Sequence, residues 1–514
     1  VNSESTKRLA ILSVYDKLGI SDLAHTLVND YGFDLISSGG TAATLRSQGI
    51  PVISVEDYTG SPEMLGGRVK TLHPRIHGGI LARPDDPCDQ ADLAEQGISP
   101  ISLVVVNLYP FADTVADSKT TVAEAIEQID IGGHTLIRAA AKNYTYTTVL
   151  TDARQYSTYL QQLKEGQGEV SLEFRQSCAQ AAFTHILNYD QAISTYFEQL
   201  NGSSPFWLWG TPHQSLRYGE NPHQRAKWFS LKSEGWSTAQ QLQGKELSYN
   251  NLVDLEAARS LVAEFLTWSE TASVIVKHTN PCGVALGKTA LEAYQRALAA
   301  DPVSAFGGIV ALSRGLDTQI ALALTETFLE CVVAPEVSAE AVDILAQKKN
   351  LRVLLLPNLA QGSLQQIHMI AGGFLVQQPD TDPCNQHQWQ VVTHQQPSPE
   401  LYRELEFAWV VSKHVKSNAV VLTREGQTVG IGAGQMNRVG AVQIAIQQAK
   451  EQAQGAVAAS DGFFPFADSV TLLVQAGIRA IIQPGGSIRD QESIDAANQS
   501  NIVMIHTGRR HFLH

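Results

Sequence analysis

The stretch SVIVKHTNPCGVALG, Ser273 to Gly287, sets a lysine, a histidine and a cysteine close together. The apolar run Val274–Val276 has the pattern of a buried strand, and it delivers Lys277, His278 and Thr279 into a turn expected at Asn280-Pro281-Cys282-Gly283. A basic pair at the end of a buried strand is costly unless it has a partner or a task. Histidine takes up or returns a proton near neutrality, and an adjacent ammonium stabilises developing charge. The structural alternative is a paired core histidine and a lysine whose stem snorkels over apolar surface. Cys282 would be a nucleophile if His278 served as its base, but a buried inert thiol is the commoner state of a free cysteine and is the reading favoured here.

Pro281-Cys282 also opens a pattern that holds zinc in nucleobase deaminases. The second cysteine of that pattern is replaced by Ala285 and no H-x-E precedes it, so no metal is expected. A different chemistry is suggested by ISSGGTAAT. There Ser37, Ser38, Gly39, Gly40 and Thr41 stand where a strand turns into a helix, so backbone N–H groups and hydroxyls converge on an anion; the alternative is a plain tight turn. GIGAGQ (430–435) is not a dinucleotide fingerprint, because Gln435 stands at the last glycine position, and no P-loop string occurs.

The chain around these residues has 514 residues and a formal net charge of −14, with 44% hydrophobic and 17% charged residues. That length predicts two to four domains. The composition is that of a globular enzyme, and the acidic balance argues against a nucleic-acid surface. No long apolar run suggests a membrane span, and the first residues lack the core of a signal peptide. The five cysteines, at 88, 178, 282, 331 and 384, form no C-x-x-C pair and are expected to be free thiols in a reducing cytoplasm. Cations are instead concentrated locally. MLGGRVKTLHPRIHGGILARP (64–84) carries Arg68, Lys70, Arg75 and Arg83 with no acid; HQSLRYGENPHQRAKW (213–228) carries Arg217, Arg225 and Lys227 against Glu220; the terminal TGRRHFLH is acid-free. Each cluster could be a solvated face, but three of them in so acidic a chain point to anion sites.

Strand and helix patterns alternate through the first part of the chain, which predicts a parallel, doubly wound sheet. The expected elements are a strand at 8–14, a helix through 18–30, strand–glycine loop–helix from 33, a strand ending at Pro110, and helices on either side of DIGGH. NGSSPFWLWGTPH has linker composition, placing a boundary near residue 200. The remainder is again α/β, with strand-like runs that include HMIAGGFLVQ, NAVVLT and TVGIGAG. ALAADPVSAFGG (297–308) faintly echoes AVAASDGFFPFAD (456–468), suggesting two similar subdomains joined near 365–385.

Several strings then carry a specific resemblance: EMLGGRVKTLHPRIHGGILAR, VVNLYPF, EQIDIGGHTLIRAAAKN, LRYGENPHQ, VKHTNPCG, SNAVVL, IGAGQMNR, DGFFPF and RRHFLH. In order, from about Leu9 to His514, the chain resembles the bifunctional purine-biosynthesis enzymes that join AICAR transformylase to IMP cyclohydrolase. The resemblance implies that residues 1–200 form a methylglyoxal-synthase-like cyclohydrolase domain. It implies that residues 201–514 form a transformylase of two cytidine-deaminase-like subdomains without zinc. The implied reactions are formyl transfer from 10-formyltetrahydrofolate to the amine of AICAR, then dehydrative closure of formyl-AICAR to IMP. Implied partners are AICAR, formyl-AICAR, IMP, folate and a second copy of the chain, with transformylase sites at the homodimer interface and neither nucleic acid nor membrane.

Matched position by position, the resemblance assigns Lys70, Tyr109, Asp130 and Lys142 to cyclisation, with Lys70 and Lys142 as cationic and proton-transfer groups. For Lys142 a solvent-facing lysine at a helix end is the alternative. Lys17, Ser38, Gly39, Gly40, Thr41 and the segment of Arg68, Val69, Lys70 and Thr71 would hold the phosphate, Val106, Asn107 and Ile131 would line the base, and Tyr15 and Asp16 would be further substrate contacts. Tyr15 stands where family members often carry serine. In the transformylase, His278 would be the base for the amine, Lys277 would stabilise charge, and Asn418 would donate to the formyl oxygen. Arg217, Tyr218, His223, Asn250, Asn251, Gly307, Phe463 and Arg510 would hold AICAR. Phe306, Glu330, Arg438, Asp468, Ser487 and Ile488 would hold the folate. Two other classes stay open to test: a zinc deaminase, revealed by metal analysis, and a nucleotide-binding regulator, revealed by absence of AICAR turnover.

Overall fold

A computed structural model describes residues 8–202, 206–231, 234–382 and 386–514. Cys384 therefore lies outside the described residues. Contacts divide the chain into two units, 1–207 and 208–514.

The first unit is built on a five-stranded sheet of β1 (Arg8–Val14), β2 (Phe33–Ser37), β3 (Ile53–Ser54), β4 (Ile101–Asn107) and β5 (Thr148–Leu150). The order is β3-β2-β1-β4-β5 and every pairing is parallel. The near-continuous apolar runs of β1 and β4 follow from this, since helices cover both faces of such a sheet. In β4, Ile101 and Leu103–Val106 are all buried. The first helix runs Ile20–Tyr31, not from Leu18, because Gly19 with φ 68° interrupts it. DIGGH is not wholly a loop: Gly132 already opens the helix Gly132–Lys142, which brings that helix's N-terminus to the edge where β4 ends.

The second unit centres on a twelve-stranded mixed sheet. One half contains β8 (Gln240–Gln243), β9 (Thr271–Lys277), β10 (Asn280–Gly287), β11 (Gly308–Leu312), β12 (Leu329–Ala334) and β13 (Arg352–Leu355). The other contains β16 (Gln390–Val391), β17 (Val420–Arg424), β18 (Gln427–Gly432), β19 (Val457–Ser460), β20 (Ala480–Gln483) and β21 (Val503–His506). Two separate hairpins are β6 (Thr211–Leu216) with β7 (Ala226–Ser230), and β14 (Gln366–Ile370) with β15 (Gly373–Gln377). HMIAGGFLVQ, expected as one strand, is thus folded back at Gly372, whose φ is 79°.

Read outward from the centre, the two halves run β10-β9-β11-β12-β13-β8 and β18-β17-β19-β20-β21-β16. The pairing senses along these two series are the same, and β10 meets β18 antiparallel. The sequence echo does not mark this repeat. Residues 297–307 precede β11, which only begins at Gly308, whereas 456–468 contain β19 itself and the loop after it. Asn280–Gly283 is likewise not a turn. The strand β10 already begins at Asn280, and Lys277 pairs with Asn280 across a two-residue turn made by His278 and Thr279.

At the centre of the sheet, helix backbone lies directly on strand backbone. A Cβ at Gly283 would stand 2.0 Å from the carbonyl oxygen of Ala297, and one at Gly432 would stand 1.9 Å from that of Ala441. We expect Gly432→Ala to force the helix Arg438–Ala449 away from the sheet. The cost should be about 1–3 kcal/mol, as for other overpacked sites, and read as a lowered unfolding temperature.

Candidate active sites

In the first unit the chain steps outward from β1 on both sides, so the crevice at the carboxyl end of β1 is the topological switch point of the sheet. Asn107, the last residue of β4, fastens the loop after β1. Its Oδ1 accepts the backbone N–H groups of Tyr15 and Asp16 at 2.5 and 3.0 Å, and its Nδ2 donates to the Asp16 carbonyl at 3.1 Å. The Tyr15 and Tyr109 rings meet edge-on, 5.4 Å apart. Thr41 accepts from Val14 N at 3.1 Å and donates to Val14 O at 2.9 Å, which docks the helix Gly39–Ser47 on the end of β1.

Two lysines face the start of that helix. A Cβ at Gly39 would lie 3.8 Å from Lys70 Nζ, and one at Gly40 would lie 4.0 Å from Lys17 Cε. Ser38, the unpaired N–H groups behind it, the helix dipole and two ammonium groups make a cradle for an anion. Burial lowers the Lys17 pKa, with Asp16 opposing, and its ammonium rests on the carbonyls of Val14 and Tyr15. Lys70 is paired with Glu63 at 2.9 Å. The loop joining them closes through a Met64–Val69 bridge, and its Gly67 has φ 97°. A Cβ there would stand 2.5 Å from Glu63 Oε1, so the pair needs glycine.

The opposite wall is Asp130. Its Oδ1 accepts the Gly133 N–H at 2.7 Å, and its own N–H donates to Tyr189 Oη at 2.7 Å. Burial raises the Asp130 pKa; the N–H groups of Gly133, Tyr109 and His134 and the charge of His134 oppose it. Gly132 and Gly133 let this wall close, since Cβ atoms there would lie 2.9 Å from Thr71 Oγ1 and 3.1 Å from Val106 Cγ1. Arg68, paired with Glu127, Val69 and the exposed Ile131 belong to the same loops. Lys142 does not join them. It lies exposed at the far end of the helix Gly132–Lys142, where Asn143 binds the carbonyls of Ile80 and Ala82 and Thr147 binds that of Ile101, at the amino end of β4. The expectation that Lys142 moves a proton in this crevice is therefore corrected.

In the second unit the registers place one set of strand ends on one edge of the sheet: the carboxyl ends of β9, β18, β19, β20 and β21 and the amino ends of β10, β11, β12 and β17. His278 sits on this edge with φ 52°, followed by Thr279 with φ 63°. Left-handed backbone at two successive non-glycine residues is uncommon and needs support from its surroundings. Asp254 supplies it, accepting the Thr279 N–H at 2.7 Å from the helix Tyr249–Ala263. Burial raises the Asp254 pKa, while the turn's N–H groups and the nearby His278 charge oppose the rise. Asn280 continues the support. It donates to His278 O at 3.3 Å and accepts the Lys416 N–H at 3.0 Å.

Lys416 leads to Asn418, whose Nδ2 donates to Gln435 O at 2.7 Å, leaving its second N–H available. On the other flank, Lys277 Nζ donates to Phe306 O at 2.7 Å, Gly307 turns with φ 75°, and the Phe306 ring lies 5.1 Å from Phe328. Glu330 follows on β12, paired with Arg352 at 2.8 Å. The terminal segment closes the edge from the far side. The His511 N–H binds Asp461 O at 3.0 Å, and Ser417 and Leu513 exchange bonds of 2.9 and 3.1 Å. The exposed Arg510 stacks on Phe512 at 4.6 Å, and Phe463 is exposed two residues after Asp461. Arg217, over the Tyr218 ring at 5.5 Å, precedes a loop that Asn250 holds through Glu220 O at 3.3 Å; His223 is exposed on that loop. Asp468 opens the helix Asp468–Gln475, and the Ser487-Ile488 loop is brought to the Phe466 side by Arg489, 5.1 Å from that ring.

Two expected ligand contacts are otherwise employed. The Arg438 guanidinium is buried in an ion pair with Asp461, so it is a brace and not a free folate contact. The Asn251 side chain accepts the Ser248 N–H at 3.1 Å in the helix cap. Cys282 donates toward Ile275 O, and burial pushes its thiol up to about 12, which makes it inert. Glu63, Asp254, Asn280 and Asp461 were not read from the sequence as site residues. Asp254 could have been, since it lies one helical turn after Asn250 and shares its face. Asp461 gave no such signal, because a buried charge looks like any other acid in a string.

A family model described as the AICARFT/IMPCHase bienzyme matches residues 140–448, and one described as an MGS-like domain matches residues 19–135. The bifunctional purine biosynthesis protein PurH of Synechocystis sp. is 62% identical over 511 residues, covering 99% of this chain and 100% of that protein. The PurH of Cyanothece sp. is 60% identical over 516 residues, covering 98% and 99%. That of Acaryochloris marina is 58% identical over 522 residues, covering 99% and 100%.

The support given by Asp254 is testable. Asp254→Ala leaves a buried N–H without its partner, a loss of about 1–3 kcal/mol. We expect a lowered unfolding temperature and a reduced rate in whatever reaction uses His278, with the first unit's reaction unaffected.

Proposed function

The chain belongs to the AICARFT/IMPCHase bienzyme family, and we propose that its two units divide that family's two reactions at the two clusters described above. As a member it catalyses the last two steps of IMP synthesis, with a folate formyl donor. The finer reading is that residues from about 208 onward transfer the formyl group of 10-formyltetrahydrofolate to AICAR, and that the first 207 or so close formyl-AICAR to IMP.

His278 takes the proton of the AICAR amine as it attacks. An aromatic amine is a weak nucleophile, and a base that titrates near neutrality lowers the cost of that step. The free N–H of Asn418 stabilises the formyl oxygen as charge develops there. Lys277 keeps donors beyond the one given to Phe306 and steadies the departing folate nitrogen. Arg510, with Arg217 nearby in role, holds the phosphate. The folate lies along Phe306, Glu330, Asp468, Ser487 and Ile488. The observation that carries this reading is His278 itself, exposed on an unusual turn that Asp254 and Asn280 hold rigid beside Asn418.

In the first unit, the Gly39-Gly40 cradle with Lys17 takes the phosphate. Lys70, Asp130 and Tyr109 handle the proton and the oxyanion while the crevice fixes the reactive rotamer of formyl-AICAR. A homodimer is supported by the hairpin β14–β15 and the segment just ahead of it, where Leu364, Met369 and Leu375 are 80%, 72% and 58% exposed. The free thiols of Cys88, Cys178, Cys282 and Cys331 suit a reducing, cytoplasmic setting.

The assay is AICAR with 10-formyltetrahydrofolate, followed for tetrahydrofolate and IMP. We expect His278→Ala to lower formyl transfer by about a hundred- to ten-thousand-fold, the usual worth of a general base, while supplied formyl-AICAR is still cyclised. Cys282→Ser should change little. Near wild-type transfer by His278→Ala, with Cys282→Ser inactive, would replace the base assignment by a thiol mechanism.

A further inference from the structure

The terminal segment that carries Arg510 has no helix or strand of its own after β21. Its backbone bonds to Asp461 and Ser417 fix where it passes. Its side chains on either side of Arg510 are met by residues 378–382, which follow β15. Asp380 Oδ2 meets His511 Nδ1 at 2.5 Å, and Asp382 Oδ2 meets Arg509 at 2.9 Å. The His511 side chain is only 2% exposed, with its ring 5.0 Å from that of Trp409. The Asp382 carboxylate is largely buried as well, and its carbonyl accepts from the buried Lys413 at 3.3 Å. Burial alone would raise the Asp380 pKa, but the hydrogen bond and charge of His511, with Lys413 behind, outweigh it and leave it lowered. Asp380 is thus a carboxylate near neutrality.

Asp380 and Asp382 thus hold His511 and Arg509, the residues on either side of Arg510. The Arg510 guanidinium lies over the Phe512 ring, and that ring is placed by Gly462, where a Cβ would lie 2.8 Å from it, next to Phe463. We propose that Asp380 and Asp382 are positioning residues for formyl transfer, clamping the residues on either side of Arg510 so that its guanidinium is held ready for the AICAR phosphate. The proposal rests on the reading of Arg510 as the phosphate contact. It assigns a role to a segment that touches neither the reacting atoms nor His278 among the contacts described.

The test is steady-state formyl transfer by the full-length chain with Asp380→Asn and Asp382→Asn combined, in the wild-type and Arg510→Ala backgrounds. The clamp acts on pre-organisation, so KM for AICAR should rise about tenfold or more while kcat at saturating AICAR holds within about twofold. Cyclisation of supplied formyl-AICAR should be unchanged, and the amides of residues 508–514 should exchange hydrogen faster. In the Arg510→Ala background, where KM is already raised, the pair should add little, because both changes remove one function. Exchanging the charges, Asp382→Arg with Arg509→Asp, should restore much of the KM lost by Asp382→Asn alone. An unchanged KM, or an equal rise in both backgrounds, would overturn the clamp while leaving Arg510 in place. A normal KM for Arg510→Ala alone would instead remove the phosphate reading, and the clamp with it. Should the double variant fold poorly, Asp382→Asn, whose partner Arg509 is half exposed, carries the same comparison.

Discussion

Asp461 has no accessible surface, and a carboxylate taken wholly out of water must be met by donors or be neutralised. It is met by the Arg438 guanidinium, the Ser417 hydroxyl and the Ala419 N–H, and its own carbonyl takes the His511 N–H. Four separate stretches of chain are brought together by one residue, through its side chain and its carbonyl: the loop before β17, the helix after β18, the end of β19 and the terminal segment. Asn418 and Arg510 are each one or two residues from a group that this carboxylate or its backbone holds. The site therefore inherits its geometry from a buried charge that need not touch a substrate. Removing one partner of such a pair typically costs about 3–5 kcal/mol, far more than an exposed pair, so the arrangement is rigid.

The repeat within the second unit sets the His278 turn beside a second turn of the same build. Both central hairpins are two-residue turns whose second N–H is captured by a carboxylate on the preceding helix, Thr279 by Asp254 and Gly426 by Glu404, each at 2.7 Å. In both, the cation before the turn reaches a carbonyl ahead of the next strand, Lys277 to Phe306 and Arg424 to Gln454. Backbone and scaffolding are shared. Because β10 and β18 run antiparallel, the two turns lie on opposite edges of the sheet, and it is the first that shares an edge with the amino end of β17, which follows Asn418, and the carboxyl end of β21, which leads to the terminal segment. Where His278 stands in one, Glu425 stands in the other. The chemistry is thus a matter of side chains placed on a frame that would serve either edge.

Much of this was legible in the residues. Alternating apolar runs in the first two hundred residues indicated a parallel sheet, because strands buried on both faces must be apolar throughout, and the glycine-rich string after β2 marked where that strand turns into a helix. The family strings named His278, Lys70 and their neighbours. Backbone register was not legible. Asn280-Pro281-Cys282-Gly283 has the composition of a turn, yet the strand resumes at Asn280, since left-handed backbone at His278 and Thr279 is stabilised by Asp254 from a distant helix. The repeat was misplaced for a similar reason: its likeness lies in pairing order, which weak identity between short strings cannot carry. Arg438 and Lys142 illustrate the remaining gap. A motif gives a residue's type and position, but whether its charge is free, buried in a pair, or at the wrong end of a helix depends on contacts across the fold.

An acidic chain that binds anionic nucleotides must also keep its own carboxylates from competing. Several acids near the two clusters are held by a basic side chain of their own. Glu63 sits on Lys70, Glu330 on Arg352, Asp382 on Arg509 and Asp380 on His511. The groups left to the ligand then differ in kind between the units. In the first, N–H groups at a helix start and two lysines offer a field that suits a phosphate and an oxyanion alike. In the second, Arg510 lies on a terminal segment held by Asp461 and Ser417, while the His278 turn on the same edge of the sheet is held by Asp254 and Asn280. A fixed guanidinium and an imidazole are thus supplied by different stretches of chain, each positioned by its own set of contacts.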